Sequence, residues 1–135
     1  MDTDAIPIVD NALISVWVYP QRRIVHHRMK MFCYGDDLRH AFSKGAEALE
    51  QYKATKWLSD DRVNGALVPD DQAWLHENWL PRVMAAGWTH WAIVQPAKII
   101  GQSYIQRVMK VILPESITAR MFSDPDEALL WLLAQ

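Results

Sequence analysis

The chain of 135 residues has a single cysteine, Cys33, so it cannot close an internal disulfide. Its five glycines form no phosphate loop, no dinucleotide-binding string and no nucleophile elbow. No apolar run approaches the ~20 residues that span a bilayer. The acidic start, Met1-Asp2-Thr3-Asp4, lacks the basic and apolar regions of a secretory leader. Positive charge is not in excess. The formal net charge is -2, which disfavours nucleic acid as a partner, since phosphate binding needs a basic surface. Zinc spacing is missing too: His26 and His27 are adjacent and point to opposite faces of a strand, and His76 and His90 have no partner at ligand distance. These absences lead to the expectation of a cytoplasmic protein with no transmembrane segment, no nucleic-acid partner, no metal and no cofactor.

What is present is ordinary in bulk and unusual in detail. Half the residues are apolar and 22% are charged, as in globular proteins. The length suits one domain, expected to cover residues 1–135, with 1–12 a loosely ordered or edge segment. The unusual feature is seven tryptophans. Each is a large ring with one donor, so together they fill a core or line a pocket or interface.

Leu13–Tyr19 and Ile24–Phe32 read as two strands joined by a short turn at Pro20, which predicts an antiparallel hairpin. In the second strand Val25, His27, Met29, Met31 and Cys33 are expected to face the core, and Ile24, His26, Arg28, Lys30 and Phe32 to face solvent. Gly35-Asp36-Asp37 starts a helix to about Tyr52, with Leu38, Phe42, Gly45 and Leu49 on one stripe. Gly45 is either a close approach to the sheet or a tolerated glycine. A strand over Ala54–Leu58 follows, then a polar loop and a helix from Asp70 or Asp71 that Pro81 should kink near Glu77. Trp88–Gln95 is apolar enough for a central strand, and Lys98–Leu113 reads as a weaker helix. Ile117–Phe122 is the last strand. The last helix opens on a cap at Asp124 with Pro125 at its first position. Strands separated by helices should be parallel through right-handed crossovers. The fold class is therefore α/β, a mixed sheet with an N-terminal antiparallel hairpin followed by αβαβαβα.

Several strings carry a resemblance. They are Lys56-Trp57-Leu58-Ser59-Asp60-Asp61-Arg62, Asp70-Asp71-Gln72-Ala73-Trp74-Leu75, Trp79-Leu80-Pro81-Arg82, Ala86-Gly87-Trp88 and Phe122-Ser123-Asp124-Pro125-Asp126-Glu127-Ala128. With the element order they resemble small bacterial proteins of STAS-like (SpoIIAA-like) fold, the fold of sulphate-transporter and anti-sigma-factor-antagonist domains. The resemblance covers the chain from about Leu13 and carries no catalytic signature. It implies a cytoplasmic binding module without enzymatic activity, engaging a regulatory protein partner or, more distantly, an apolar ligand. Anti-sigma antagonists are switched by phosphorylation at the start of the helix after the third strand. The matching stretch here, Asn64 through Asp71, has no hydroxyl, so no switch is expected there, and Ser59 is the nearest alternative.

The residues themselves offer one candidate rim. In open α/β sheets ligands bind beyond the carboxyl ends of parallel strands. Asp60, Asp61, Arg62 and Asn64 follow one such strand, and Gln95 and Lys98 follow the next. Trp57, Trp74 and Trp79 would supply apolar contact. The aspartates at 36–37 and 70–71 are explained by helix capping, and an Asp60 or Asp61 pair with Arg62 could simply pin the loop. The basic strip Arg22, Arg23, His26, Arg28 and Lys30 is read as a solvated hairpin face, and Cys33 as an inert buried thiol. Leu129 to Leu133 are all apolar, covering more than one helix face, so Leu130 and Trp131 are candidates for a homodimer interface. The reading is a non-catalytic ligand- or partner-binding module of STAS-like fold. The alternative is a small enzyme with an Asp60/Asp61–Arg62 site at the carboxyl ends of the parallel strands.

Overall fold

A computed structural model describes residues 4–63 and 66–135. One six-stranded sheet runs β1 (Ile6–Asp10), β2 (Ile14–Tyr19), β3 (Ile24–Met29), β4 (Lys56–Asp60), β5 (His90–Val94) and β6 (Thr118–Phe122), in that spatial order. β1, β2 and β3 pair antiparallel, and β3 through β6 pair parallel. This is the expected mixed sheet. The segment before Leu13 contributes the edge strand.

The helices divide between the two faces. α1 (Gly35–Gln51) packs against β1, β2 and β3 on one face, and α5 (Pro125–Leu133) packs against β4, β5 and β6 on the other. α2 (Pro69–Trp74) and α3 (Leu80–Ala85) flank a π-helical turn, Leu75–Trp79, and both lie beside α1. Pro81 accounts for the break: it offers no N–H to the preceding turn. The backbone widens instead, and the Leu80 N–H bonds to the Leu75 carbonyl five residues back. α4 (Ile99–Arg107) ends in a second π turn, Val108–Ile112.

Two cores result, one under each layer of helices. The α1 side buries Val16, Val25, Met29, Leu38, Trp57 and Trp79, and the α5 side buries Tyr19, Ile24, Leu58, Ala92 and Leu132. The second core corrects the expectation that the outer side of β3 is solvated. Ile24 is fully buried and His26 is 8% exposed, because Tyr19 and Trp17 of β2 pack beside them. Nor does β3 continue to Phe32. The Lys30 and Met31 N–H groups both turn to the Leu13 carbonyl, and Met31 and Phe32 leave the sheet exposed.

Capping is corrected in the same way. Asp124 caps α5 through the Asp126 N–H, as expected, but neither α1 nor α2 has a side-chain cap. Asp71 reaches across instead. Its carboxylate accepts from the Gly35 N–H at 2.9 Å and from Arg39 Nε at 3.2 Å, tying the start of α2 to the start of α1. Gly45 is a close approach: a Cβ there would fall onto the six-membered ring of Trp57.

Candidate functional site

Strand alternation puts Trp57, Ser59 and Asp61 on one side of the sheet and Leu58 and Asp60 on the other. The parallel register sets His27 beside Ser59, and Trp91 beside Trp57. A cavity of about 80 Å³ opens over these residues. Phe42 of α1 forms one wall. Leu75, His76 and Trp79 of the first π turn form another, and Val108 and Ile112 of the second π turn close it with Tyr104 and Ile105. Both π turns therefore border the same space. α4 makes no broad backbone approach to the sheet; its side chains Tyr104 and Ile105 reach the cavity.

The tryptophans form a ladder of edge contacts. Trp57 and Trp79 are 5.0 Å apart, Trp79 and Trp88 5.6 Å, and Trp88 and Trp91 5.9 Å, with interplanar angles of 88°, 70° and 62°, the edge-to-face geometry favoured by the ring quadrupole. Each indole N–H is already bonded to protein. Trp79 donates to the Phe42 carbonyl, Trp88 to the His90 carbonyl, Trp91 to Ser59 Oγ and Trp57 to His27 Nδ1, all at 2.8–2.9 Å. These bonds fix ring orientation and leave no indole donor for anything else.

The His27 contacts fix its tautomer. An indole nitrogen only donates, so Nδ1 must be an unprotonated acceptor. The ring proton then sits on Nε2, which donates to Asp61 Oδ1 at 2.8 Å. His27 is 2% exposed with both nitrogens engaged, the satisfied core histidine the sequence suggested. It has no lone pair left to take a proton from Ser59, so the neighbouring Asp61, His27 and Ser59 do not form a nucleophilic relay. Asp61 is 6% exposed, and its second oxygen bonds to no described residue. Burial pushes the Tyr104 hydroxyl up to about 12, and the charge of Asp61 adds to the rise. Burial, aided by Arg107, lowers His76.

Asp60 faces the other way. Arg62 clasps it through Nε at 2.9 Å and Nη2 at 2.8 Å. Burial pushes the Asp60 carboxyl up, but the Arg62 contacts outweigh it and hold the group below its usual range. This pair borders an open groove on the α5 side, with Trp17, Tyr19, His26 and Arg28. In that groove the Tyr19 hydroxyl accepts from Trp17 Nε1 and shares a hydrogen bond with His26 Nδ1 at 3.2 Å. Burial takes His26 down to about 3, and the nearby Arg28 adds to the fall.

The rim read from the sequence is thus split. Trp57, Trp79 and Asp61 line the cavity. Asp60 and Arg62 belong to the opposite face. Trp74 stacks under Arg39, while Gln95 and Lys98 lie outside both hollows; Asn64 falls outside the described residues. The sequence reading did not single out Phe42, Trp88, Trp91 or Tyr104 as site residues, and read His27 only as core. Of the interface candidates, Leu130 is 66% exposed, whereas Trp131 packs on Phe122 and His90.

The chain matches no protein-family model, and no curated protein or solved structure is significantly similar to it. Among the described residues no group of His, Cys, Asp or Glu is arranged to hold a metal, and no helix is long and apolar enough to cross a membrane.

Proposed function

We propose that the protein is a non-catalytic binding module of STAS-like fold whose ligand is a small, largely apolar molecule held in the tryptophan-lined cavity. The observation that carries this reading is the cavity's composition. Aromatic and aliphatic walls surround a few converging polar groups, the pattern of a small-molecule site. Interiors are normally packed without voids larger than a water molecule, so a cavity of about 80 Å³ beside four anchored tryptophans calls for a function. Two π turns border it, and such turns recur at functional sites. The full engagement of both His27 nitrogens supports binding over chemistry.

Titration with tert-butanol, followed by the indole N–H resonances, tests the reading. The Trp57, Trp79, Trp88 and Trp91 signals should move together while Trp17 and Trp131 stay fixed. Val108→Phe, which fills the cavity from the second π turn, should abolish the response without unfolding the protein. Movement of Trp17 alone would transfer the site to the opposite groove and sink the proposal.

A further inference from the structure

The cavity's charge restricts what it can hold. Asp61 is an acceptor of the His27 Nε2–H, and the Trp57 indole keeps Nδ1 unprotonated, so His27 is neutral in this arrangement. Among the described residues Asp61 has no other ion-pair partner, and Arg62, the nearest cation in sequence, is committed to Asp60 on the other face. A carboxylate with its side chain 9% exposed and no cation beside it is an anomaly, because buried charges are normally paired. The walls reinforce its sign. All four indole N–H groups are spent, so the tryptophans offer a ligand ring carbon and π surface but no hydrogen-bond donor. Ser59 accepts from Trp91, and its own proton goes to no described residue.

We infer that the cavity selects a small apolar molecule carrying a protonated amine, whose ammonium group pairs with the free oxygen of Asp61 and is faced by the tryptophan rings. The inference rests on reading the cavity as a ligand site. It gives the groups around the carboxylate a task. Asp61 supplies the counter-charge, His27 holds the carboxylate in place through Oδ1, and Trp57 holds His27. Tyr104, kept protonated by burial, adds a neutral hydroxyl near the carboxylate and no competing charge. An anionic ligand would meet the like charge of Asp61 and no indole donor; the cation at the α4 edge, Arg107, lies over the Tyr104 ring and bonds to Gln72.

Three probes of one shape and different charge test this on the full chain: tert-butylamine, protonated at pH 7, tert-butanol and pivalate. Binding is read from the indole N–H resonances of Trp57 and Trp79. The ammonium should bind about tenfold or more tightly than the alcohol, since a desolvated cation gains from both the rings and the carboxylate. Pivalate should bind weakest. Asp61→Asn should erase the preference for the ammonium and leave tert-butanol binding in place. Equal affinity of alcohol and ammonium for the wild-type protein would refute the charge inference and leave the cavity reading standing. A preference that survives Asp61→Asn would refute it as well. If none of the three binds, the cavity reading falls too.

Discussion

Replacing Gly45 with alanine should destabilise the protein, although the same change inside a helix ordinarily stabilises by about 1 kcal/mol. Gly45 lies in the middle of α1 with its Cα against Trp57. An added Cβ would collide with Trp57 Cη2 and sit 3.2 Å from Cζ2 and Cζ3. The indole is pinned by its neighbours. It is 1% exposed, stacked on Phe42 at 5.9 Å, edge-on to Trp79 at 5.0 Å, and bonded to His27 at 2.9 Å. Overpacking of this kind costs about 1–3 kcal/mol. Loosening the bond to His27 adds about 0.5–1.5 kcal/mol. Set against the helix gain, the net loss is about 0.5–3.5 kcal/mol. With a urea slope of roughly 2 kcal/mol/M for a chain of this size, the unfolding midpoint should fall by about 1 M. Trp57→Phe removes the colliding atoms, so the same alanine should cost much less in that background. A Gly45→Ala protein as stable as wild type, or an equal cost in both backgrounds, would refute the packing argument.

Acid should weaken the α5-side core through His26. Its folded-state value of about 3 lies below the ordinary 6.5, so the unfolded chain binds a proton between these pH values and the folded chain does not. The stabilisation is fully present above pH 6.5 and is lost as pH falls toward 3, amounting to about 3 kcal/mol between pH 7.5 and 4.5. Chemical denaturation across that range should show this slope in wild type and lack it in His26→Gln; identical slopes would contradict it. Asp71→Ala should lower stability by about 1–3 kcal/mol, because Gly35 N–H and Arg39 lose a buried acceptor; an unchanged unfolding midpoint would show the tie to be idle. Ser59 is 3% exposed and should stay unmodified when the folded protein is incubated with kinases, an outcome that intact-mass measurement checks. The proposed homodimer through α5 should appear in sedimentation at micromolar concentration and be lost on replacing exposed Leu130 with aspartate; a monomer throughout would remove it.

The parts of the fold that depend on local rules were legible in the sequence. The β2–β3 hairpin follows from its short turn, the parallel strands from their helical crossovers, and the start of α5 from Asp124-Pro125. The break before Pro81 was also readable, but not that it would take the form of a π turn facing a cavity. The site was legible only in part. Alternation within β4 already places Trp57, Ser59 and Asp61 together. Their meeting with His27 depends on strand register, with Trp91 on the next strand over, and with Tyr104 on a helix that arrives some forty residues later. Charge drew attention to Asp60 and Arg62, and those two satisfy each other. The informative carboxylate was the neighbour, Asp61, whose ion-pair partner among the described residues is a neutral imidazole. The acidic first turns of α1 and α2 misled for a similar reason: capping is a local preference, and Asp71 met a stronger demand from Gly35 and Arg39.

The central claim is that the space between the sheet and the two π turns is a preformed ligand cavity, and xenon offers the most direct measurement. Apolar protein cavities take up xenon, so crystals pressurised with it report on such a space without chemical bias. The account predicts one ordered xenon atom against Trp57, Trp79 and Val108, with the surrounding side chains unmoved. Crystals in which Val108 and Tyr104 have collapsed onto Trp57, or in which xenon enters only the groove beside Trp17, would contradict it.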